Sequence, residues 1–274
     1  WELSPRNRDP IVNFRVLHNR QLSASIFLFV ALGFALYGGI FIFPLFAQSL
    51  LGFSPTTTGL VLLPGGLGTA ATALVSGRLL NGPRPLVDPR VLIAIGVVLL
   101  CGAMWKMGHL STEAGEPDVR WALFIRGLGL GLLFTPINNV AYGSLDPSEA
   151  QQGAGLINLA RQLGGSFGIA VLATYITRHT QDHRVELLKS VTPANPLVSQ
   201  HLQAFRATLA AHGYGPVRAS QGAYALLEQE VMRQASMLSY NDAWILLLIS
   251  MAIVAPAILL LRRPKPGAAH VEAH

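Results

Sequence analysis

One short stretch of the chain combines a charge, two amides and a run of glycines inside an apolar segment. Residues 152–177 are long and apolar enough to cross a bilayer, and Arg161 lies near their middle. An arginine at that depth costs at least about 2.5–3.5 kcal/mol on insertion scales, so it usually faces a protein interior or a water-filled cavity. The chemistry open to a guanidinium in such a place is recognition of an anionic group or a carboxylate.

The residues around Arg161 share one face of the predicted helix, because side chains three, four and seven positions apart lie above one another. The residues on that face are Asn158, Arg161, Gly164, Gly165 and Gly168. Glycine lets a neighbouring helix approach closely in lipid, where apolar surface gives no drive for association. Two interpretations of Arg161 stay open: it bonds backbone carbonyls and holds two helices together, or it lies on a transport path. Asn158 and Gln162 are either interhelical hydrogen-bond partners or members of the same path.

The composition is that of a membrane protein. Of 274 residues, 51% are hydrophobic and only 12% are charged, whereas globular proteins are about 25% charged. The mean hydropathy of +0.44 points the same way. A net charge of +6 would suit a nucleic-acid partner, but the basic residues flank apolar segments, where they act as topology signals. No nucleic-acid partner is therefore predicted.

Six apolar segments are predicted to be transmembrane helices, so the fold class is an all-α, polytopic membrane helix bundle. Five of these helices lie within residues 23–177 and the sixth lies within 241–262. In chain order their cores are 24–48, 57–80, 91–108, 121–144, 152–177 and 243–261. A basic amphipathic lead-in (1–22) and a short tail (263–274) flank the six.

Residues 178–240, here called the polar segment, interrupt this pattern. Their spacing suits surface helices at 198–212 and 219–238, separated by glycine and proline turns. Basic residues are concentrated in the short connections and ends on one side of the predicted bundle. That asymmetry places both termini in the cytoplasm and the polar segment on the outer side of the membrane.

Other residues within the spans are candidates for a cavity or for helix packing. Pro64 and Pro136 each remove a hydrogen bond within a span, which marks either a bend or a binding region. Arg126 lies near the outer end of its span, and two interpretations of it stay open: it snorkels to the interface, or it is a helix-packing or gating residue. Gly127 and Gly131 are expected to be helix-packing residues. Candidates for the cavity wall are Tyr37, Phe41, Phe134 and Asn138.

Several kinds of site are not recognised in the sequence. No Asp or Glu lies within a predicted span, so a proton-coupling carboxylate is expected upstream of Trp1, in a longer protein of which this chain is a piece. His18 and His109 lack partners at ligand spacing and Cys101 is the single cysteine, so no metal site is assigned. No catalytic constellation or phosphate-binding loop is found, so neither an enzyme nor a cofactor is predicted.

A series of motifs closely resembles the C-terminal half of EmrB/QacA-type multidrug exporters, which are fourteen-span members of the major facilitator superfamily. The motifs are Pro44-Leu-Phe-Ala-Gln48, Gly52-Phe-Ser-Pro55, Leu63-Pro64-Gly65, Gly77-Arg78-Leu79, Arg126-Gly-Leu-Gly129 and the Arg161 stretch. The resemblance implies that the six helices are the last six of fourteen. It also implies a central cavity bordered by spans one and four, with spans two and five near the other bundle and spans three and six facing lipid.

The same resemblance implies particular functions for some residues. Gly77 and Arg78 match the cytoplasmic gating motif, in which Asn81 stands where the family usually has Asp. The implied activity is multidrug efflux: export of small amphipathic drugs by proton antiport across the bacterial inner (cytoplasmic) membrane, leading to antibiotic resistance. A narrower exporter of a lipid, fatty acid or siderophore-like metabolite and a non-transporting scaffold remain alternatives.

The implied partners are the lipid bilayer, the missing N-terminal half of the same transporter and the substrate. In double-membraned bacteria, EmrB-type relatives also work with a periplasmic membrane-fusion adaptor. The polar segment is either the docking surface for such an adaptor or a solvated cap over the cavity mouth.

Overall fold

Long helices joined by short connections make up the part of the chain that the structure, a computed structural model, describes: residues 20–80, 86–143, 150–192 and 194–260. The helices are α1 (Arg20–Ser49), α2 (Pro55–Leu80), α3 (Pro89–Met107), α4 (Glu116–Tyr142), α5 (Ala150–Ser190), α6 (Pro196–Ala211) and α7 (Pro216–Val254). A 3₁₀ helix, Ala255–Leu260, continues α7. These ranges contain no strand. All but the last three residues of the predicted lead-in, and the whole tail, lie outside them.

Proline and a capping side chain begin several of the helices. At the start of α2, the Ser54 hydroxyl oxygen accepts a hydrogen bond of 3.1 Å from the Thr57 amide, and Pro55 is the first helical residue. At the start of α3, the Asp88 carboxylate accepts one of 3.1 Å from the Arg90 amide. These side chains satisfy amides that a helix start leaves without intrahelical partners.

Six of the described helices are long and apolar enough to cross a membrane: α1 to α5 and α7. The all-α bundle predicted from composition and hydropathy is therefore confirmed. The structure differs from the prediction in the polar segment. α5 extends to Ser190, and α7 begins at Pro216 and continues without a break to Val254. The separate surface helix expected at 219–238 is thus the first half of α7, while the one expected at 198–212 is α6.

The bundle is built from two groups of three helices. α4 packs between α2 and α3, and in the second group α1 packs against α5 and α7. Contacts of α1 with α4 and of α3 with α7 join the groups. The two groups have a similar pattern of contacts, in which α1 corresponds to α4, α2 to α5, and α3 to α7. The α5–α7 contact is the exception, since α2 and α3 scarcely touch.

Glycines on both sides of α4 bring its backbone close to its neighbours. A Cβ on Gly127 would overlap the carbonyl oxygen of Gly65 in α2, and a Cβ on Gly129 would lie 2.8 Å from the carbonyl oxygen of Gly96 in α3. Because the backbones are so close, the Thr69 hydroxyl can donate a hydrogen bond of 3.0 Å to the Gly127 carbonyl. Backbone packing and interhelical hydrogen bonds replace the hydrophobic drive that lipid does not provide.

We expect Gly127→Ala to destabilise the bundle, because the added methyl group has no space against Gly65. The measurement is the thermal unfolding midpoint of the purified protein in detergent. Gly102→Ala is the matched control, since Gly102 also lies within a helix but a Cβ there would meet no atom within 4 Å. Equal midpoints for Gly127→Ala and Gly102→Ala would contradict the close α2–α4 contact.

Candidate functional site

The glycine face of α5 is the surface on which α1 packs. A Cβ on Gly164 would overlap the Val30 carbonyl oxygen, and one on Gly168 would lie 3.1 Å from the Phe34 side chain and backbone. Gly165 lies against the ring of Tyr37. The three glycines of the predicted common face therefore contact a single neighbour, and the backbone of α1 lies in the groove left by their missing side chains.

The backbone of Arg161 is part of this contact, because a Cβ on Gly33 of α1 would overlap the Arg161 carbonyl oxygen, whereas its side chain extends towards α4. Its Nη2 donates a hydrogen bond of 2.7 Å to Oδ1 of Asn158, and its guanidinium carbon lies 5.5 Å from the centroid of the Phe134 ring. This is cation–π geometry, which is most favourable away from water. Nε of Arg161 is buried and has no hydrogen-bond partner among the described residues. The Asn158 amide and the Phe134 ring thus position the guanidinium, while its Nε–H donates no hydrogen bond to the described residues.

No carboxylate neutralises Arg161 within the described part of the chain. None of the ion pairs found there includes it. The sequence explains this absence, since residues 10–87, 119–145 and 150–181 contain no Asp or Glu. A buried or half-buried cation without a counter-charge is unfavourable in a membrane. Any anionic partner for Arg161 therefore comes from outside these segments.

The other candidates for the cavity wall do not all join this group. The Asn138 amide donates a hydrogen bond of 2.7 Å to the carbonyl of Phe134 in its own helix. Phe41 is partly buried and packs against the apolar core, and Gln162 is exposed. Of the seven residues proposed to line a cavity, the side chains of three are in direct contact: Phe134, Asn158 and Arg161. Asn138 joins them only through the backbone carbonyl of Phe134.

Of the two interpretations of Arg126, snorkelling to the interface is wrong, because the side chain is packed between helices. Its side chain is only 6% exposed and lies between α4 and α1. Nη2 donates hydrogen bonds of 3.2 Å to the carbonyl oxygens of Ala35 and Leu36. The guanidinium packs on Gly39, where a Cβ would overlap it. A glycine on α1 thus makes room for the arginine, and backbone carbonyls satisfy two of its hydrogen-bonding directions.

The candidate bend, packing and gating residues of α2 and α4 differ in their surroundings. α2 and α4 remain helical through Pro64 and Pro136, and Pro136 is buried. Gly131 meets Thr69 and Thr72 of α2, as expected of a packing residue. Gly77 meets no neighbouring atom, and Arg78 is exposed in the last turn of α2. Asn81, which ends the gating motif, lies outside the described residues.

Outside the apolar core, polar contacts join α5 to α7. Nη2 of Arg184 lies 2.6 Å from a carboxylate oxygen of Glu228, and Nε2 of His183 lies 2.7 Å from one of Asp242. A cavity of about 730 Å³ lies near these pairs. Its lining includes Ser49, Thr177, Thr180, Glu228, Arg233 and Tyr240. The sequence analysis missed these pairs, because the partners are separated along the chain by a whole helix.

Comparisons with known proteins agree with this architecture. The model of the Major Facilitator Superfamily matches residues 2–169. Over 244 residues the chain is 26% identical to the multidrug export protein EmrB of Escherichia coli K12, covering 88% of this chain and 45% of that protein. It is 25% identical over 256 residues to the colistin resistance protein EmrB of Acinetobacter baumannii, covering 93% and 49% respectively.

A third relative is the puromycin resistance protein pur8 of Streptomyces alboniger. The chain is 32% identical to it over 180 residues, which cover 64% of the chain and 35% of the relative. The chain therefore spans half or less of the length of each of these three proteins.

We expect Arg126→Ala to destabilise the bundle by about 1–3 kcal/mol, because it removes the charged donor that joins α4 to the α1 carbonyls. Arg120→Ala is the control on the same helix, since Arg120 is half exposed and forms only an i,i+4 ion pair with Glu116. Thermal unfolding in detergent provides the comparison. A midpoint for Arg126→Ala that equals that of Arg120→Ala would show that the α1–α4 hydrogen bonds do not hold the bundle together.

Proposed function

Because the chain belongs to the Major Facilitator Superfamily, we propose that it forms one helix bundle of an exporter in the bacterial cytoplasmic membrane. The proposed substrates are small amphipathic drugs or related organic compounds, and the proposed driving force is proton antiport. The relatives' names support drug export, since they specify multidrug export and resistance to colistin and puromycin. Six membrane-length helices supply the framework for a transport pathway.

The observation that carries the proposal is the uncompensated charge of Arg161. Its guanidinium lies at the junction of α5 with α4, held by Asn158 and Phe134, and no carboxylate of the described chain reaches it. Charges at membrane depth usually face a wet pathway or a partner group. We therefore assign Arg161 the recognition of an anionic group, either on the substrate or on the other helix bundle of the transporter.

Exposed apolar side chains on α2 and α5 suit contact with that second bundle. Each helix presents a row of them at helical spacing. The rows are Leu60, Leu63, Leu67 and Leu74 on α2, and Leu159, Leu163 and Phe167 on α5. Because Arg161 lies on the same helix as the second row, the proposed contact puts the guanidinium near the cavity between the bundles.

The proposed proton coupling requires a carboxylate that the apolar segments of this chain do not contain. α1, α2 and the apolar part of α5 have no Asp or Glu, and those of α4 lie in its first turn. Proton relays through a membrane typically use such acids. The proposal therefore places the coupling acid in the second bundle. An acid there would also supply a negative charge to pair with Arg161.

The hairpin of α6 and the first half of α7 is the proposed docking surface for a periplasmic adaptor. α6 packs on α7, with Leu209 against Gly222 and the Arg206 guanidinium 5.8 Å from the Tyr224 ring centroid. None of the residues of α6 is buried. Apolar side chains on the hairpin are nevertheless exposed, among them Leu197, Tyr214 and Val217. Docking of an adaptor would cover these side chains, because contiguous apolar surface outside a membrane span marks protein contacts.

We expect Arg161→Ala to lower proton-driven transport by roughly tenfold or more while leaving the folded yield unchanged, because the side chain lies at the edge of the α1–α5 contact. Arg161→Lys should restore little activity if the planar guanidinium is needed. The measurement is uptake of two fluorescent amphipathic compounds, one anionic and one cationic, into proteoliposomes holding the complete transporter, with Arg120→Ala as control. Full transport by Arg161→Ala would remove the basis of the proposed function.

Replacing residues 191–215 with a flexible Gly/Ser linker should test the docking surface, because it removes α6 and leaves the α5–α7 contact in place. Transport in proteoliposomes should persist, whereas cells with two membranes should lose resistance and the adaptor should no longer co-purify. A control with the exposed Thr208 changed to Ala should keep both. Co-purification of the adaptor in wild-type amounts with the shortened protein would contradict the docking proposal.

A further inference from the structure

Three side chains of metal-ligand type converge where α5 and α7 extend beyond the apolar core. His179 and His183 lie one turn apart on α5, and Asp242 lies opposite them on α7. One ligand atom from each residue lies within 4.8 Å of the others. The side chains of the three are 38%, 28% and 41% exposed in that order, so ions from solution can reach them.

We propose that His179, His183 and Asp242 form a binding site for a divalent transition-metal ion, represented by Zn²⁺. Two imidazoles and one carboxylate are a common ligand set for zinc, and three protein ligands leave one position open. Nitrogen ligands favour zinc, nickel and copper over magnesium and calcium, which prefer oxygen. The proposal does not depend on the transport function.

The geometry needs only small side-chain changes to accept the ion. Donor atoms around a tetrahedral zinc lie roughly 3.3 Å apart, given metal–ligand distances of about 2.0–2.1 Å. In the structure, Nε2 of His183 lies 2.7 Å from Oδ2 of Asp242, slightly closer than 3.3 Å. The three ligand atoms are at most 4.8 Å apart, so only small movements are needed to reach the tetrahedral spacing. Because the two histidines are four residues apart on one helix, their rings can turn towards a common point without backbone movement.

Neighbouring groups already orient the His179 ring. The Tyr175 ring lies 3.9 Å from it, measured between centroids. Oδ2 of Asp182 lies 4.0 Å from Nδ1 of His179, which is too far for a hydrogen bond but within reach of a small side-chain rotation. A carboxylate that accepts a hydrogen bond from this nitrogen would fix the ring and raise the basicity of the ligand nitrogen. Two arginines flank the cluster along α5: Arg178 precedes His179, and Arg184, which follows His183, is paired with Glu228.

An alternative explanation is that His183 and Asp242 form only an ion pair between the helices. His179 separates the two explanations, because it makes no contribution to that pair. A bound ion would join α5 and α7 at the base of the α6–α7 hairpin and so raise the unfolding temperature. An ion pair alone gives no dependence on added metal.

Zinc titration of the complete transporter tests the proposal. The protein is purified with a tag that contains no histidine, and Zn²⁺ binding is measured by calorimetry and by the shift in unfolding midpoint. One saturable site per chain is expected. His179→Ala and His183→Ala should each weaken it by at least roughly tenfold, and Asp242→Asn should also weaken it. His201→Ala combined with His212→Ala is the control, because both residues are exposed and lie outside the cluster.

Two results would overturn the proposal. One is Zn²⁺ binding that is unchanged in both His179→Ala and His183→Ala. The other is an absence of saturable binding in the unmodified protein. A loss of binding in His179→Ala without any change in the metal-free unfolding midpoint would support the site, because the His183–Asp242 pair stays intact in that variant.

Discussion

Close approach of helix backbones at glycine is the constraint on which the rest of this bundle depends. Lipid gives apolar side chains no reason to associate with one another, so helices gain from van der Waals contact and hydrogen bonds only where they can approach closely. Gly127 on α4 provides that approach to α2, and Gly164 on α5 provides it to α1. Both contacts place a backbone carbonyl where a Cβ would otherwise stand, so side chains larger than glycine would force the helices apart.

Arg126 and Arg161 show two consequences of that packing. Arg126 is enclosed, because Gly39 leaves space for its guanidinium and the α1 carbonyls accept its hydrogen bonds. The Arg161 side chain instead extends from α5 towards α4, where an amide and an aromatic ring hold it, and it forms no ion pair with the described residues. The first arrangement stabilises the bundle by itself, whereas the second leaves a charge available to another group.

Beyond the apolar core, the means of joining helices changes. α5 and α7 continue as an extended pair linked by Arg184–Glu228 and by the cluster of His179, His183 and Asp242. α7 is also tied to the α3–α4 connection, where Arg233 and Asn241 donate hydrogen bonds to the carbonyls of Thr112 and Leu110. Water competes for such groups, so polar contacts there are weaker individually than in lipid but can exchange partners readily, including for a metal ion.

The sequence by itself determined the helices and the faces that carry glycine, because hydropathy and helical spacing are local properties. The membrane-length helices followed from apolar runs, and the common face of Arg161 and Gly164 followed from their three-residue separation. Only the tertiary structure decided which carbonyls Arg126 meets and which acid His183 meets, since those partners are 90 or 91 and 59 residues away. Such neighbours are determined by long-range packing. The sequence around Arg126 suggested snorkelling because it does not reveal that Gly39 of α1 leaves space for the guanidinium.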